Sequence, residues 1–169
     1  MRFDKLYLQN FRCYDELELD FDKNMTVIVG ENGKGKTAIL DALAISLEPY
    51  LRAFGCKGRN MSERDVRRIK DAGDEEKLRV LRMKSKYPVS IKVEGAHEGV
   101  GFTWSRELKS ERGRTTSNNA KELADYGKAL YDGINGTEDE KIVLPVFAYY
   151  GTSRMWNDSK LLGKGKKID

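Results

Sequence analysis

The amino-acid sequence predicts an α/β fold, and three features near its start carry that prediction. Residues 16–21 alternate charged and apolar side chains, as in a strand with one buried face. Residues 25–29 form a short apolar run rich in β-branched side chains, which is typical of a buried strand. From about Lys36 an apolar stretch of helical length follows. Strands that lead into a buried helix in this way predict a mixed β-sheet with flanking helices.

The first predicted elements are two short strands, residues 2–8 and 16–21, joined by residues 10–15. In the second strand Leu17, Leu19 and Phe21 alternate with acidic residues, so one face packs and the other meets water. The short connection predicts that the two strands pair antiparallel.

Residues 30–37, GENGKGKT, match the phosphate-binding pattern GxxxxGK[ST] at each specified position. Gly33 and Gly35 allow backbone torsions that a Cβ obstructs, so successive N–H groups can point at one anion. The following helix, which is expected to run to about residue 51, adds free N–H groups and the positive end of its dipole. Lys36 would reach the β- and γ-phosphates as a point charge, and the Thr37 hydroxyl would ligate a bridging Mg²⁺.

The motif therefore predicts a nucleoside triphosphate site that takes ATP with Mg²⁺. The alternative is a surface turn rich in Gly and Lys, which the apolar flanks on both sides disfavour. The residues predicted to contact the phosphates are Gly30, Asn32, Gly33, Lys34, Gly35, Lys36, Thr37 and Ala38, with Thr37 also predicted to bind the metal.

The middle of the chain predicts a charged helix or helix pair over residues 62–86, with Ser62 as its N-cap. Residues 88–94 and 100–104 predict a β-hairpin, and His97 falls in its turn, where a solvent-facing side chain is expected. A short helix is predicted over residues 120–131.

The last predicted strand covers residues 141–150, where Pro145 favours an edge or a bulge. Tyr149 and Tyr150 are expected to cover a sheet face. The domain is predicted to span residues 1–156, followed by a flexible basic tail over residues 157–169.

Composition limits the classes of function. Cys13 and Cys56 fit neither a metal-ligand spacing nor a disulfide framework, and His97 is the only histidine, which argues against a Cys/His metal site. No apolar run has the length of a membrane span, and no signal peptide is recognisable, so a cytoplasmic protein is expected.

The opening LYLQNFRCYDELELDF, followed by MTVIVGENGKGKTAILDAL, resembles the N-terminal lobe of the ABC-type ATPase heads of RecF, RecN, SMC and OLD-like proteins. Asn32 in the loop matches this group of P-loop NTPases. Residues 142–156 resemble a segment of predicted RecF-like ATPases, some of them linked to phage defence. The resemblance implies that Arg12, at the Asn-Phe-Arg position, approaches the nucleotide phosphates.

The resemblance also implies what hydrolysis needs. These ATPases use a strand ending in Asp-Glu and an LSGG-like signature, both in a C-terminal lobe, and neither is found in this sequence. The sequence lacks a matching Q-loop glutamine as well, so Tyr149, Tyr150, Thr152 or Ser153 would have to substitute. The expected protein therefore hydrolyses ATP only with a C-terminal lobe and a second ATPase head, and this chain alone is expected to be inactive.

DNA is the implied partner, in repair or in anti-phage defence. The net charge of +4 is compatible with a basic stripe, and the basic runs 57–70 and 77–86 are the candidates for it. A solvated helix with internal ion pairs is the alternative explanation of the same runs and is slightly favoured. Two other functions stay open: a self-contained phosphotransferase using Glu94 or Asp125, and a nucleotide sensor that does not hydrolyse.

Overall fold

The computed structural model describes residues 1–70, 83–136 and 142–151. A four-stranded sheet in the order β2-β1-β5-β6 forms its centre, from β1 (Arg2–Phe11), β2 (Tyr14–Asp20), β5 (Val89–His97) and β6 (Val100–Leu108). All of its neighbouring strands pair antiparallel. A separate two-stranded sheet pairs β3 (Arg68–Lys70) with β4 (Met83–Ser85).

Three α-helices accompany these sheets within the described residues: α1 (Lys36–Ser46), α2 (Glu48–Ala53) and α3 (Lys121–Asn135). The core lies where alternate side chains of β1, β5 and β6 meet the helices. The fully or nearly fully buried apolar side chains at this centre include Leu6, Leu8, Ala42, Ile45, Val89, Ile91, Val93, Trp104 and Leu123. Sheet and helices thus enclose one apolar core, and the predicted α/β class is confirmed.

The strand pairs predicted from alternation are confirmed. β1 and β2 are joined by a turn of only two residues, Arg12 and Cys13. In the second hairpin the strands extend further than predicted, and the turn contracts to Glu98 and Gly99, both with positive φ. The helix predicted near residue 120 is α3, and it runs four residues beyond its predicted end.

The predicted helix from Lys36 is divided in two. α1 ends at Ser46, Leu47 links the helices, and Pro49 occupies the first turn of α2. Proline is tolerated at that position because the first N–H groups of a helix have no intrahelical acceptor.

Buried hydrogen bonds from β6 hold the C-terminal end of α1. Arg106, 1% exposed, donates from Nη1 to the carbonyl of Ile45 at 2.9 Å, and the Trp104 indole N–H donates to the carbonyl of Ser46 at 3.0 Å. Burial lowers the pKa of Arg106, while Glu48, 3.2 Å from its Nη2, opposes that shift. A cation at the C-terminal end of a helix also interacts favourably with the helix dipole. These contacts fix α1, and with it the loop that precedes it.

Two segments with the composition of buried strands form no ladder. Val27 and Val29 are 67% and 83% exposed, and Val146 is 92% exposed. Tyr149 and Tyr150 also lie outside any strand and are exposed, so the prediction that they cover a sheet face is wrong. A strand needs a hydrogen-bonding neighbour, and the part of the chain that the structure describes supplies none to either segment.

Two further predictions are wrong. Where the charged stretch from Ser62 is described, it contains a 3-10 turn (Glu63–Asp65) and the β3–β4 pair instead of a helix. Ser62 does precede a helical turn, the 3-10 turn, and its backbone N–H donates to the Asp65 carboxylate at 3.0 Å. His97 is buried at the end of β5, where its Nδ1 lies 2.6 Å from the hydroxyl of Tyr126 on α3.

The remainder of the charged stretch, residues 71–82, lies outside the described residues, as do Thr152, Ser153 and the predicted tail 157–169. Within the described ranges, no helix is both long and apolar enough to cross a membrane. Both cysteines are free and exposed.

Candidate nucleotide-binding site

The GENGKGKT loop wraps around the N-terminal end of α1. Gly33 and Gly35 have φ of 81° and 92°, in the left-handed region that favours glycine. Gly35 directly precedes α1, and the backbone N–H groups of Ala38 and Ile39 donate to its carbonyl. Among the described residues, the N–H groups of Lys36 and Thr37 have no protein acceptor. The loop and helix therefore present donors that an anion can satisfy.

The Lys36 side chain folds back over its own loop. Its Nζ donates to the carbonyl oxygens of Gly30 at 2.5 Å and Glu31 at 2.7 Å. These contacts hold the ammonium group inside the curve of the loop. The positive charge and the free N–H groups thus belong to the same loop and border one cavity, an arrangement suited to a polyphosphate.

The β1–β2 turn covers the other side of the loop. The hydroxyl of Tyr14 donates to the carbonyl of Lys34 at 3.3 Å. A Cβ on Gly35 would lie 2.7 Å from that hydroxyl and would collide with the Cys13 thiol. Any larger residue at position 35 would require the Cys13 and Tyr14 side chains to shift, so the turn and the loop pack directly against each other.

A cavity of about 370 Å³ opens between the turn and the loop. Six of the eight predicted loop residues line it, together with Arg12, and Cys13 is an addition that the sequence did not indicate. Its lining residues are Arg12, Cys13, Asn32, Gly33, Gly35, Lys36, Thr37 and Ala38.

Two predicted loop residues lie outside this lining. Gly30 contributes its carbonyl to Lys36, and the Lys34 side chain is exposed, with its Nζ 3.8 Å from the Glu31 carboxylate. Glu94 and Asp125, the carboxylates considered for a self-contained phosphotransferase, do not line the cavity either. Glu94 pairs with Lys92 on the outer face of the sheet.

Arg12 lines the cavity but is held by carboxylates. Its Nη1 lies 2.5 Å from Asp41 Oδ2, and its Nε and Nη2 donate to Asp65 Oδ1 at 3.0 and 2.9 Å. Burial lowers the pKa of the Arg12 guanidinium, but these hydrogen bonds outweigh it and raise the pKa overall. Arg12 therefore stays charged beside the phosphate-binding loop.

Arg59 binds the same two carboxylates, with Nη2 2.8 Å from Asp65 and Nη1 3.4 Å from Asp41. The hydroxyl of Tyr149 donates to Asp41 Oδ1 at 2.5 Å, and partial burial of this hydroxyl together with the bond raises the pKa of Tyr149 to about 12. Sequence reasoning missed these partners. The available signal was Asp41, the only carboxylate in the otherwise apolar α1, four residues after Thr37.

No group of three or more His, Cys, Asp or Glu side chains that could hold a metal ion occurs in the described ranges. The Thr37 hydroxyl at the start of α1 still suits a Mg²⁺ that arrives with phosphate, because such a metal takes few protein ligands and keeps several waters.

Comparisons with known proteins show similarity to RecF and to structural maintenance of chromosomes proteins. The chain is 30% identical to the DNA replication and repair protein RecF of Lactococcus lactis subsp. cremoris over 126 residues, which are 75% of this chain and 30% of that protein. It is 42% identical to the structural maintenance of chromosomes protein 6A of Arabidopsis thaliana over 55 residues, which are 32% of this chain and 4% of that protein.

The chain thus spans less than a third of the length of these curated relatives. A structure from a study titled "Structural biochemistry of ATP-driven dimerization and DNA stimulated activation of SMC ATPases" aligns with a TM-score of 0.49 and 19% identity. The alignment covers 76% of this chain and 80% of that one.

The family model of the AAA domain AAA_23 matches residues 5–168, which include the whole of the site described above. The described part of the chain contains the P-loop motif, an antiparallel sheet and flanking helices. This chain belongs to the AAA domain family and is an N-terminal ATPase lobe related to RecF and SMC proteins.

Proposed function

We propose that this chain binds ATP with Mg²⁺ in the cavity between the β1–β2 turn and the phosphate-binding loop. The free N–H groups at the start of α1, with Lys36 held beside them, are the observation that carries the proposal. They offer positive potential and unsatisfied donors at one point, which favours a polyphosphate over other anions of similar size. Thr37 would supply the protein oxygen for the bound metal.

Isothermal titration of the purified chain with ATP and Mg²⁺ tests the proposal. Lys36→Ala should weaken binding by about 10-fold to 100-fold, since hydrogen bonds to charged groups contribute about 1.5–3 kcal/mol. Lys23→Ala is the matched control, because it removes the same charge from an exposed turn outside the cavity, and it should change the affinity by less than about 2-fold. Equal affinities of the two variants would refute the site.

We further propose that a second lobe pairs with this one to complete the ATPase head. The exposed apolar segments support this pairing. Residues 25–29 lead directly into the phosphate-binding loop, yet Met25, Val27 and Val29 face solvent. Residues 142–147 repeat the pattern, with Val143 and Val146 exposed. Apolar β-branched segments of this kind are suited to pairing inside a sheet. A C-terminal lobe bearing the signature and the Asp-Glu strand would provide that pairing.

Hydrogen exchange measured with and without an added C-terminal lobe tests the pairing. We expect the backbone amides of residues 25–29 to be protected only when that lobe is present. ATP turnover should appear under the same condition and increase with protein concentration, because a second head completes each site. Turnover by the isolated chain would contradict this expectation, and binding without turnover in every assembly would favour a nucleotide sensor.

DNA is the partner we propose for the whole protein, acting in the cytoplasm. The candidate surface is the β3–β4 pair, where the cations are exposed and form no ion pair within the described residues, unlike Arg59 and Arg67. These cations are Arg68, Lys70 and Lys84 in the strands, with Lys86 directly after β4 and Arg64 in the preceding 3-10 turn. The outer face of the main sheet is a weaker candidate, because Lys5 and Lys92 are paired with acidic residues there.

Fluorescence anisotropy with a labelled duplex at several salt concentrations tests this surface. The triple variant Arg68→Ala, Lys70→Ala, Lys84→Ala should weaken binding and reduce the slope of log affinity against log salt by about 0.9 for each phosphate that it no longer neutralises. Lys92→Ala, on the outer face of the sheet, should leave the slope unchanged. If both proteins show the wild-type slope, DNA binds to a different surface.

A further inference from the structure

Arg12 occupies a position that its own backbone does not favour. Its φ of 53° lies in the left-handed region, which disfavours non-glycine residues. The turn that carries it contains only one further residue, Cys13. A long side chain on such a turn can adopt many directions, so the direction of the guanidinium must be set by its contacts.

Asp65 supplies most of those contacts, and its side chain is completely buried. Its Oδ1 accepts from Nε and Nη2 of Arg12, while its Oδ2 accepts from the backbone N–H and the hydroxyl of Ser62 at 3.0 and 3.1 Å. The backbone N–H of Arg12 also donates to the carbonyl of Asp65 at 2.9 Å. Both ends of the Arg12 residue are thus attached to one buried aspartate whose own position is fixed by the 3-10 turn.

The contacts leave part of the guanidinium available. Arg12 has five N–H groups, and the bonds to Asp65 and Asp41 require one on each nitrogen. One N–H on each terminal nitrogen remains, and the side chain, which is 24% exposed, is one of those that line the cavity. Two donors in a planar fork are suited to the oxygens of a phosphate group.

From this geometry we infer that Asp65 is a positioning residue, which holds Arg12 in the orientation that contacts the nucleotide phosphates. The inference rests on the proposed ATP site and adds to it a residue 53 positions away in the sequence. Neither Asp65 nor its other cationic partner, Arg59, lines the cavity, whereas Arg12 does, so we expect the effect of Asp65 on binding to pass through Arg12.

A double-mutant cycle on ATP affinity tests this dependence. The four proteins are the wild type, Arg12→Ala, Asp65→Asn and the double variant, each titrated with ATP and Mg²⁺ at a temperature where it is folded. Asp65→Asn should weaken binding about 10-fold when Arg12 is present and less than about 2-fold when it is absent. A purely structural role would lower stability in both backgrounds and leave the affinity uncoupled.

Two further variants distinguish a specific effect on ATP affinity from a general loss of folding. Asp65→Glu keeps the charge but displaces the carboxylate by one methylene, so it should show the same dependence on Arg12. Leu123→Ala removes buried apolar contacts of α3, a helix that contributes no residue to the cavity lining, so it should lower the unfolding temperature without changing the ATP affinity by more than about 2-fold.

The outcomes separate this inference from the proposed function. If Lys36→Ala binds ATP like the wild type, or the wild type binds none, the ATP site fails and the role of Asp65 with it. If Lys36→Ala loses binding while the Asp65 variants bind normally, or lose equal affinity with and without Arg12, only the role of Asp65 is overturned.

Discussion

Replacing Gly35 by alanine gives a sharp test of how the phosphate-binding loop packs. The φ of Gly35 is 92°, and a left-handed conformation costs an L-residue about 1–2 kcal/mol. The new Cβ would also meet the hydroxyl of Tyr14 at 2.7 Å and the Cys13 thiol more closely still. Overpacking of this kind costs about 1–3 kcal/mol. The free energy of unfolding should therefore fall by about 2–5 kcal/mol.

Gly33→Ala is the matched control in the same loop. Its φ of 81° imposes a similar backbone cost, but nothing lies within 4 Å of its new Cβ. We expect the free energy of unfolding to fall by only about 1–2 kcal/mol. Urea denaturation followed by circular dichroism, without nucleotide, measures both values on the same scale. The difference between the two variants isolates the packing of the loop against the β1–β2 turn.

Cys13→Ala provides an independent check of that packing. Cys13 is exposed, so this change alone should have little effect on stability. Combined with Gly35→Ala it should recover part of the stability, because the nearest colliding atom is removed. The reasoning is refuted if Gly35→Ala costs no more than Gly33→Ala, or if the Cys13 change restores nothing.

The remaining predictions concern titration and packing. Burial is the main cause that lowers the pKa of His97, so NMR titration of this single histidine should give a pKa below 6.5, and stability should fall as the unfolded chain takes up the proton below that value. A midpoint at or above 6.5 would contradict its burial. Tyr149, whose pKa is raised to about 12 by burial and its bond to Asp41, stays neutral when the unfolded chain ionises near pH 10. Stability should therefore fall between about pH 10 and 12, and less steeply in Tyr149→Phe, as denaturation at several pH values will show. Trp104→Phe removes the indole N–H that bonds to the carbonyl of Ser46, and we expect the free energy of unfolding to fall by about 1–3 kcal/mol in urea denaturation. An unchanged midpoint would mean that this bond does not tie α1 to the sheet.

Local pattern is sufficient for much of the fold. The β1–β2 pair follows from the alternation of apolar and charged residues, and the phosphate-binding loop follows from its glycines and Lys36. Helix α3 and the β5–β6 hairpin are also recognisable, because their periodicity and turn residues lie within a few positions of one another. Each of these signals extends over a short window, so no distant residue is needed to interpret it.

Patterns that depend on a distant partner mislead. Residues 25–29 have the composition of a buried strand, but composition cannot supply the neighbouring strand that buries it. The charged stretch after Ser62 has helical residues, yet a bridge between Phe11 and Val66 and the pairing of β3 with β4 draw its described part into extended structure. The turn pattern also predicts that His97 faces solvent, but it is buried next to Tyr126 of α3, a residue 29 positions away in the sequence.

The sequence by itself determined that a phosphate-binding loop lies between an N-terminal β-hairpin and an apolar helix, since the residues of that motif are adjacent in the chain. Only the tertiary structure decided what surrounds the loop. Arg12 meets Asp41 and Asp65, which lie 29 and 53 positions further along the chain, through hydrogen bonds whose geometry no sequence spacing specifies. Side chains so distant in sequence interact only after the sheet and helices have brought their backbones together.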